Sequence, residues 1–473
     1  MWYGQPCNAK GMIARGYFAF NGLRNLICDY DSKNKIKLIW SEQNSMPITN
    51  SSSAYDSNSV CSIDPNTPKE WQEIERFIAL GSCASFFKYV PYALSNTTPK
   101  TKISETTELI NLSECKVVQP SRQTYPWRGF ADPTDTWMTS YFERKTSPRP
   151  KMKIQGVPIM FPEYESSENP AVPYERYFKF IKEWAENSSD VGFEITYDIP
   201  NEYFMMPKKF SEYRDIETHG QPTLERNIFW RDVITTADPE IDFRNVSLSL
   251  VLVPSQIPLD KFSMNPDGQG QTQEGDITSM ITVPPLNLST FGKNANFLAP
   301  NMLLHQMSHA GIDIGDYSYA GSWPSVGNGV SDQLIWDKYI EGFLDDSQVR
   351  CASKEKSSTH WIIPSVAKKK SAKLVVVPLS KTKIIVIESI KSAGYRYKLP
   401  KAEQGALVYS VDVSVTAHGE GTEVYSPMRS NQTVGTSLKD ATLKVGESVT
   451  ISGVKISVIE TGDFGDVVKV EKA

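Results

Sequence analysis

The segment Leu303-Leu304-His305-Gln306-Met307-Ser308-His309 decides which fold this sequence predicts. The chain of 473 residues has only five histidines, and His305 and His309 lie four positions apart. Residues i and i+4 share one face of an α-helix, so both imidazoles can reach one metal ion. A partly buried pair on a helix surface gives the same pattern, so the spacing alone is a weak signal. The surrounding residues must decide between the two interpretations.

The residues after His309 offer a third metal ligand. An open zinc site needs three protein ligands and leaves one position for water. Gly311 can end the helix in the left-handed conformation, and acidic residues follow in irregular chain. Asp316, seven residues after His309, is the candidate, and Asp313 is the alternative if the helix continues. Tyr317 could stabilise an oxyanion beside the metal, although a packing role is the simpler explanation. The predicted zinc ligands are His305, His309 and Asp316.

Five stretches carry a resemblance to a known family: His305–Tyr317, Trp323, Leu334–Leu344, Ile385–Ser389 and Gly405–Asp412. Together they resemble the immune inhibitor A family of bacterial metalloproteases, in which a zinc helix is followed by an Asp/Tyr turn and a second helix. Here Gly342-Phe343-Leu344 stands where that helix ends in a Gly-Trp-Leu-like motif. The resemblance covers residues 151–473. It implies an α+β fold, with a zincin-like domain built from a mixed sheet and a helix bearing the two histidines.

Gln306 departs from the pattern that this resemblance implies. The family has glutamate at this position, where it takes a proton from the zinc-bound water and later passes it to the leaving amine. Glutamine can hydrogen bond to that water but cannot accept its proton. Because general-base catalysis contributes roughly 10²–10⁴-fold, we expect most peptidase activity to be lost. The metal ligands do not include this residue, so zinc could still bind.

Two further positions depart from relatives of the same type. In a His-x-x-Gly-x-x-Asp pattern, glycine and aspartate come three and six residues after the second histidine. Gly311 and Asp316 come two and seven residues after His309, so the third ligand is provisional. Metzincin-like enzymes also have a methionine turn below the metal, but no methionine lies between residues 307 and 428. Val326 could form that floor instead.

Composition and charge exclude several classes of protein. A hydrophobic fraction of 40% with 22% charged residues is typical of a folded chain. The net charge of −5 does not favour nucleic acid as a partner, and we expect Lys368–Lys370 to lie at a solvated strand edge or turn. The longest apolar run, Val246–Val253, is strand-sized, so no transmembrane segment is expected. Met1–Cys7 lacks signal-peptide features, and we expect the chain to begin after a removed leader.

The six cysteines favour disulfides over a metal site. None forms a CxxC pair, and an even number of widely spaced cysteines is typical of a secreted or cell-surface protein. Six unrelated thiols of a cytosolic protein are the alternative. Cys7–Cys28 is the local pairing that the spacing favours. The remaining pairs would then be Cys61–Cys83 and Cys115–Cys351.

Changes in composition predict four regions. Residues 1–48 are predicted to form a small disulfide-held module, with strands at Leu26–Cys28 and Leu38–Trp40. Residues 49–150 are predicted to form a linker, a wrapping segment or a prosegment-like segment, with a helix near Trp71–Leu80. Residues 151–355 correspond to the zincin-like domain. Residues 356–473 are all-β and sandwich-like, with strand patterns from Leu374 to Val377, Ile384 to Ile387 and Ala406 to Val411, and a hairpin turning at Ser452-Gly453.

Periodicity also predicts elements inside the central region. Strands are expected at Ile154–Phe161, Val191–Ile199 and Val246–Val253, and a helix at Tyr174–Glu186. The Gly/Gln/Asp-rich residues 262–276 are expected to form a loop. Trp336 and Phe343, seven residues apart, are expected to be core residues of one helix.

Three functions compete for this sequence. The first is a working secreted zinc endopeptidase that cleaves proteins or peptides with a replaced or relocated base. The second is a pseudoprotease, in which the fold survives as a binding or scaffolding module and the β regions supply adhesion. The third treats Gln306 as a sequence variant, since a single base change separates glutamate from glutamine codons. The pseudoprotease is favoured because no nearby carboxylate has the spacing to replace the base.

Overall fold

The structure is a computed structural model. It describes residues 13–17, 23–30, 38–42, 89–104, 111–115, 151–213, 224–257, 265–283, 320, 323, 332–340, 342–396, 399–414, 421–430 and 438–473. Within these ranges the chain forms 18 β-strands in four sheets but only three α-helices. The protein is therefore a mixed α/β protein dominated by strands, as the sequence predicts at this coarse level.

The chain divides into two compact units. The first unit takes its described residues from 1–87, 152–181 and 196–311, and the second takes them from 88–151, 182–195 and 312–473. Each unit is therefore assembled from segments that are separated along the sequence. The four regions predicted from composition stay a prediction.

Three antiparallel strands form a small sheet near the start of the chain. They are β1 (Ile13–Tyr17), β2 (Leu23–Tyr30) and β3 (Leu38–Glu42), and Cys28 of β2 lies opposite Trp40 of β3. The strands predicted around Cys28 and Trp40 are thus confirmed. Cys7, Cys61 and Cys83 lie outside the described residues, so the pairings Cys7–Cys28 and Cys61–Cys83 stay predictions.

A mixed sheet forms the centre of the first unit. Its strands are β4 (Lys151–Met160), β5 (Glu194–Asp198), β6 (Phe204–Met205), β7 (Leu248–Leu252), β8 (Asn265–Thr272) and β9 (Gly275–Val283). The order is β5-β4-β7-β9-β8, with β6 beside β4. β4, β7 and β9 run parallel to one another, and β8 is antiparallel to β9. Every residue of β7 is buried, which explains why this strand is continuously apolar.

Two helices belong to this region, and only the first has a periodic apolar pattern in its sequence. Helix α1 (Glu175–Ser188) confirms the predicted helix, and the division between the two units passes through it. Helix α2 (Leu224–Ala237) buries one face in a core shared with Val157, Val251 and Met280 of the sheet. The buried apolar residues of α2 are Phe229, Trp230, Val233, Ile234 and Ala237.

No helix within the described ranges combines the length and apolar character needed to cross a membrane.

The prediction of a loop over residues 262–276 was wrong, because most of this segment forms β8 and the start of β9. Its glycines are required by close packing. A Cβ atom on Gly268 would lie 2.6 Å from the Trp230 ring and from Met280 Cβ, and one on Gly270 would meet the Ile234 side chain. Helix α2 thus leaves no room for a side chain at Gly268 or Gly270. A strand that combines glycines with polar residues resembles a loop in composition.

Two sheets form most of the second unit. The five-stranded sheet has the order β10 (Val349–Cys351), β12 (Leu374–Pro378), β13 (Lys383–Ile390), β14 (Gly405–Asp412), β15 (Thr422–Val424). The four-stranded sheet has the order β11 (Ser358–Ile362), β18 (Gly465–Lys472), β17 (Val454–Gly462), β16 (Ser448–Ile451). The predicted strands in this region are confirmed. The predicted turn is also present, with Ser452 and Gly453 both at positive φ.

The five-stranded sheet is buried on both faces. On one face, Val375, Ile385 and Val408 share a core with residues of the four-stranded sheet such as Ile456 and Val468. On the other face, Val376, Val386 and Leu407 pack with Trp323 and the short helix α3 (Ile335–Ile340). Polar groups within this second core must therefore find partners inside the protein.

An N-terminal strap, residues 89–104, belongs to the second unit. Val90 forms a bridge with Gly394, and the Glu460 carboxylate accepts hydrogen bonds from the backbone N–H groups of Lys100 and Thr101. Farther along, Cys115 forms a disulfide with Cys351, which confirms the predicted pairing. The chain that precedes the central sheet is thus covalently joined to the chain that follows it.

We predict that replacing both Cys115 and Cys351 by alanine lowers the free energy of unfolding by about 2–5 kcal/mol. The disulfide links residues 236 positions apart, and such a link restricts the unfolded chain. Urea unfolding followed by circular dichroism measures the change. Wild-type protein unfolded with a thiol reductant serves as the control and should match the variant. Equal unfolding midpoints for variant and oxidised wild type would contradict the prediction.

Candidate functional site

The predicted zinc-binding residues cannot be compared with the structure, because the described ranges stop at residue 283 and resume at residue 320. The spacing of the two histidines, the identity of the third ligand and the role of Gln306 therefore stay predictions. The same holds for the predicted floor residue Val326. The site residues outside the described ranges are His305, Gln306, His309, Asp313, Asp316 and Tyr317.

The described part of the chain offers no competing metal site. No three His, Cys, Asp or Glu side chains within those ranges are grouped so that they could hold a metal ion. The buried His360 is the single histidine of the described residues, and its Nε2 atom lies 2.8 Å from Ser358 Oγ. Both residues belong to β11, and their contact is part of the sheet.

The chain enters the predicted metal-binding segment from a defined edge of the central sheet. β4, β7 and β9 are parallel and end at Met160, Leu252 and Val283, so their carboxyl ends lie at one edge. Ligands of open α/β sheets bind outside this edge. Residue 284 follows the last residue of β9. The segment that contains His305 therefore starts at the carboxyl ends of the parallel strands, where a binding site is expected.

Tyr174 holds the strand ends at this edge. It is fully buried at the end of the 3-10 turn Val172–Tyr174. Its hydroxyl accepts a hydrogen bond from the Val253 N–H at 2.8 Å and lies 2.8 Å from the Val283 carbonyl oxygen, to which it can donate. One phenol thereby connects the carboxyl ends of β7 and β9. The helical spacing of the sequence marked Tyr174 as an apolar core residue and gave no signal for this role.

Other polar side chains lie along the loops of the same unit. The Glu168 carboxylate accepts hydrogen bonds from the N–H and the hydroxyl of Ser255, each at 2.9 Å. Tyr203 is buried, and its hydroxyl has no hydrogen-bond partner among the described residues. Burial, followed by the negative charge of Glu168, raises the pKa of Tyr203, which therefore stays protonated. Glu168 thus joins its loop to the chain that follows β7.

Helix α3 in the second unit is shorter than the predicted helix. Trp336 and Phe343 are both buried, but Phe343 lies after the helix, so the prediction that one helix carries both was wrong. Gly342 has a φ of 85°, and the Phe343 N–H donates to the Lys338 carbonyl. These are the features of a Schellman cap, which ends the helix at a glycine.

A buried ionic cluster lies at the start of α3. The Lys338 ammonium is 2.7 Å from the Asp332 carboxylate, and both groups are almost fully buried. The Arg396 guanidinium, whose residue is 2% exposed, donates to the backbone carbonyls of Trp323 and Asp332. Burial would raise the pKa of Asp332, but the charges of Lys338 and Arg396 outweigh it and hold the pKa below its usual range.

Glu388 and Tyr409 complete this cluster from the five-stranded sheet. The Glu388 carboxylate accepts a hydrogen bond from the Ile335 N–H at 3.1 Å, and the Tyr409 hydroxyl accepts one from the Trp336 N–H at 3.2 Å. The first N–H groups of a helix lack partners within the helix, and these side chains supply them. Glu388 is fully buried, and this burial raises its pKa.

Sequence analysis missed Glu388, although a signal was present. In β13, residues Ile384, Val386, Glu388 and Ile390 point to the same face of the sheet. The other three belong to the core around α3. One carboxylate within such an apolar row indicates a buried acceptor for a nearby donor.

The three lysines at residues 368–370 lie in a bend, as predicted, and two of them bind other parts of their unit. Lys368 Nζ donates to the carbonyl oxygens of Glu186 and Ser189 at the end of α1. Lys370 lies 3.3 Å from the Asp345 carboxylate. These contacts hold local structure, so the cluster is not a free basic patch.

We predict that Tyr174→Phe lowers the free energy of unfolding by about 1–3 kcal/mol, because the Val253 N–H would be left buried without its acceptor. Tyr203→Phe is the matched control and should have little effect, since its hydroxyl has no partner among the described residues. Urea unfolding of both variants measures the difference. A similar loss of stability in the two variants would contradict the assigned role of Tyr174.

We predict that Glu388→Gln becomes more stable relative to wild type as pH rises. The folded state raises the pKa of Glu388, so the unfolded chain releases this proton at a lower pH than the folded chain does. The free energy of unfolding of the wild type therefore falls as pH rises above the unfolded pKa of about 4.3. Glutamine cannot ionise, yet its side-chain oxygen can still accept the Ile335 N–H. Urea unfolding between pH 4 and pH 8 measures the slope.

Glu460→Gln is the control with the opposite sign. Hydrogen bonds from the backbone of Lys100 and Thr101 lower the pKa of Glu460. Its stabilising contribution is therefore present above the unfolded pKa and disappears as pH falls through the folded pKa. This variant should be the less stable one at neutral pH and approach wild type in acid. Parallel pH slopes for the two variants would contradict both assignments.

Comparison with known proteins does not assign the chain to a family. No family model matches the sequence, and no curated protein matches it significantly. The functional assignment therefore rests on the residues themselves and on the described structure.

Proposed function

We propose that this chain is a secreted zinc-metallopeptidase-like protein of the immune inhibitor A type, with peptide hydrolysis impaired at Gln306. The observation that carries this proposal is the pair His305 and His309, four residues apart in the sequence, with glutamine where the base belongs. Two neutral imidazoles and one carboxylate form a common open zinc site. The amide of Gln306 can orient a zinc-bound water but cannot remove its proton.

The described sheet supports a binding site in this part of the chain. Three parallel strands end at one edge, and the segment with both histidines follows the last residue of β9. Tyr174 ties the ends of β7 and β9 together at that edge. A metal-binding segment that begins there would start from a rigid support, which metal sites require for fixed ligand geometry.

Strand β8 supports a polypeptide ligand. It stands at the end of the sheet order and has a neighbouring strand on one side within the described residues. A strand at a sheet edge can pair with an extended peptide through main-chain hydrogen bonds. The glycines Gly268 and Gly270 let α2 pack closely on one face of this strand, which holds the strand in the sheet. We therefore propose that the ligand or substrate is a protein or an extended peptide.

Two further features fit the same proposal. The Cys115–Cys351 disulfide supports an oxidising compartment, as expected of a secreted or cell-surface protein. The core shared by the five-stranded and four-stranded sheets supports a sandwich-like arrangement of residues 356–473. In this proposal the chain binds zinc and polypeptide but hydrolyses peptide bonds poorly.

We predict that purified wild-type protein contains stoichiometric zinc by atomic spectroscopy and cleaves casein poorly. Gln306→Glu restores a carboxylate beside the metal-bound water and should raise cleavage roughly 10²–10⁴-fold. The double variant Gln306→Glu/His309→Ala is the matched control and should be inactive, because it has the base but lacks a metal ligand.

Two outcomes would overturn this proposal. Rapid casein cleavage by the wild type, abolished by a chelator, would show that the chain is a working endopeptidase with another base. Purified wild type without stoichiometric zinc would refute metal binding.

A further inference from the structure

We propose that Lys391 and Asp466 react with each other to form an amide bond that crosslinks the two sheets of the second unit. Lys391 follows directly after β13 of the five-stranded sheet, and Asp466 belongs to β18 of the four-stranded sheet. The two residues are 75 positions apart in the sequence. The bond would therefore join the two sheets covalently, and its formation does not involve the proposed zinc site.

The reacting groups are a buried amine and a buried carboxylate that are already in contact. Lys391 Nζ lies 3.2 Å from Asp466 Oδ1, and the two side chains are 10% and 0% exposed. Two groups held in contact by a fold react as parts of one molecule, which corresponds to a very high effective concentration. Burying two charges is costly, and the amide product is neutral, so the reaction removes that cost.

Two hydroxyl groups bind the carboxylate in positions that suit amide formation. The Ser389 hydroxyl donates a hydrogen bond to Asp466 Oδ2 at 2.5 Å. The Thr461 hydroxyl donates to Asp466 Oδ1 and also accepts a hydrogen bond from Lys391 Nζ at 2.9 Å. Ser389 thus stabilises charge on the oxygen that stays, while Thr461 connects the amine with the oxygen that leaves.

The step is a condensation that releases one water molecule. A proton first passes from the Lys391 ammonium through the Thr461 hydroxyl to Asp466 Oδ1, which gives a neutral amine and a neutral acid. The amine nitrogen then attacks Asp466 Cγ, and Ser389 stabilises the negative charge that develops on Oδ2. The nitrogen passes a second proton to Oδ1, the Cγ–Oδ1 bond breaks, and Oδ1 leaves as water. The new bond joins Nζ to Cγ, and the balance needs no oxidant, reductant or co-reactant.

The strands hold the reacting groups in place. Ser389 belongs to β13, and Thr461 lies opposite Asp466 in the hairpin of β17 and β18. Gly465 has a φ of 111°, and a Cβ atom at this position would overlap the Ile362 carbonyl oxygen. This glycine therefore lets the hairpin lie directly against β11. A rigid arrangement of this kind keeps the amine and the carboxylate in the geometry that the reaction needs.

Two other buried ion pairs of the same unit provide an internal comparison. Lys338 lies 2.7 Å from Asp332, and Lys373 lies 2.5 Å from Asp190. Both pairs are closer than Lys391 and Asp466. Among the described residues, however, no hydroxyl bonds to both partners of either pair. If the shared hydroxyl matters, only the pair at Lys391 reacts.

Mass spectrometry of the purified full chain tests the proposal. After the disulfides are reduced, the wild type should be lighter than the mass of its sequence by one water molecule. Trypsin should release a branched peptide in which residues 384–396 are joined to residues 456–469, because an amide on Lys391 blocks cleavage at that lysine. Fragmentation of this peptide should locate the bond between Lys391 and Asp466. Peptides that contain Lys338 and Lys373 should be linear.

Variants test the parts played by the amine and by the shared hydroxyl. Lys391→Arg keeps the positive charge, but a guanidinium stays protonated and does not attack, so this variant should have its full sequence mass. Lys338→Arg is the matched control and should keep the crosslink. Thr461→Val removes the shared hydroxyl and should lower the crosslinked fraction at least tenfold, whereas Thr461→Ser should retain the crosslink.

The wild-type measurement decides the proposal even if a variant fails to fold. Full sequence mass, or a loss of water that fragmentation locates at another residue, would overturn the crosslink and leave Lys391 and Asp466 as an ion pair only. Equal crosslinking in Thr461→Val and wild type would overturn the role of the shared hydroxyl. A wild type without zinc would refute the proposed function but would leave this result unchanged.

Discussion

The burial of the five-stranded sheet on both faces is the constraint on which the second unit depends. Because water is excluded, every helix end and loop that packs on this sheet must be satisfied by protein groups. Glu388 and Tyr409 bind the first N–H groups of α3, and Arg396 binds carbonyl oxygens that precede it. The apolar sheet therefore needs a polar cluster inside its own core, and this cluster binds the main chain at Trp323 and at the start of α3.

The strands could be predicted because their residues strongly prefer the strand conformation. Apolar β-branched runs around Val376, Ile385 and Val408 predict buried strands, and the Ser452-Gly453 pair predicts a tight turn. β8 could not be predicted in this way. Its glycines are explained by the Trp230 ring of α2, and this contact joins residues that are distant in the sequence. Local composition contains no information about such a neighbour.

The polar groups that matter most were the hardest to predict, for the same physical reason. Arg396 lies 64 residues from Asp332, and Glu388 lies 53 residues from Ile335. Each partner is an ordinary backbone atom, so even the single carboxylate in the apolar row of β13 does not reveal which group Glu388 binds. The two histidines could be recognised in the sequence, because their four-residue spacing alone predicts that they share a face of a helix. The sequence therefore proposes the zinc ligands, whereas the contacts that support the main chain appear only in the structure.

A chain that loses its general base does not lose these supports. Tyr174 and Arg396 bond to main-chain atoms, and the proposed function gives neither of them a part in proton transfer. In the proposed function, glutamine replaces a glutamate of similar size, so the change removes the proton acceptor for water without a large change in side-chain volume. In the proposed pseudoprotease, selection for a stable, disulfide-linked scaffold that binds a polypeptide would preserve the polar cluster and the strand-end tyrosine while hydrolysis was lost.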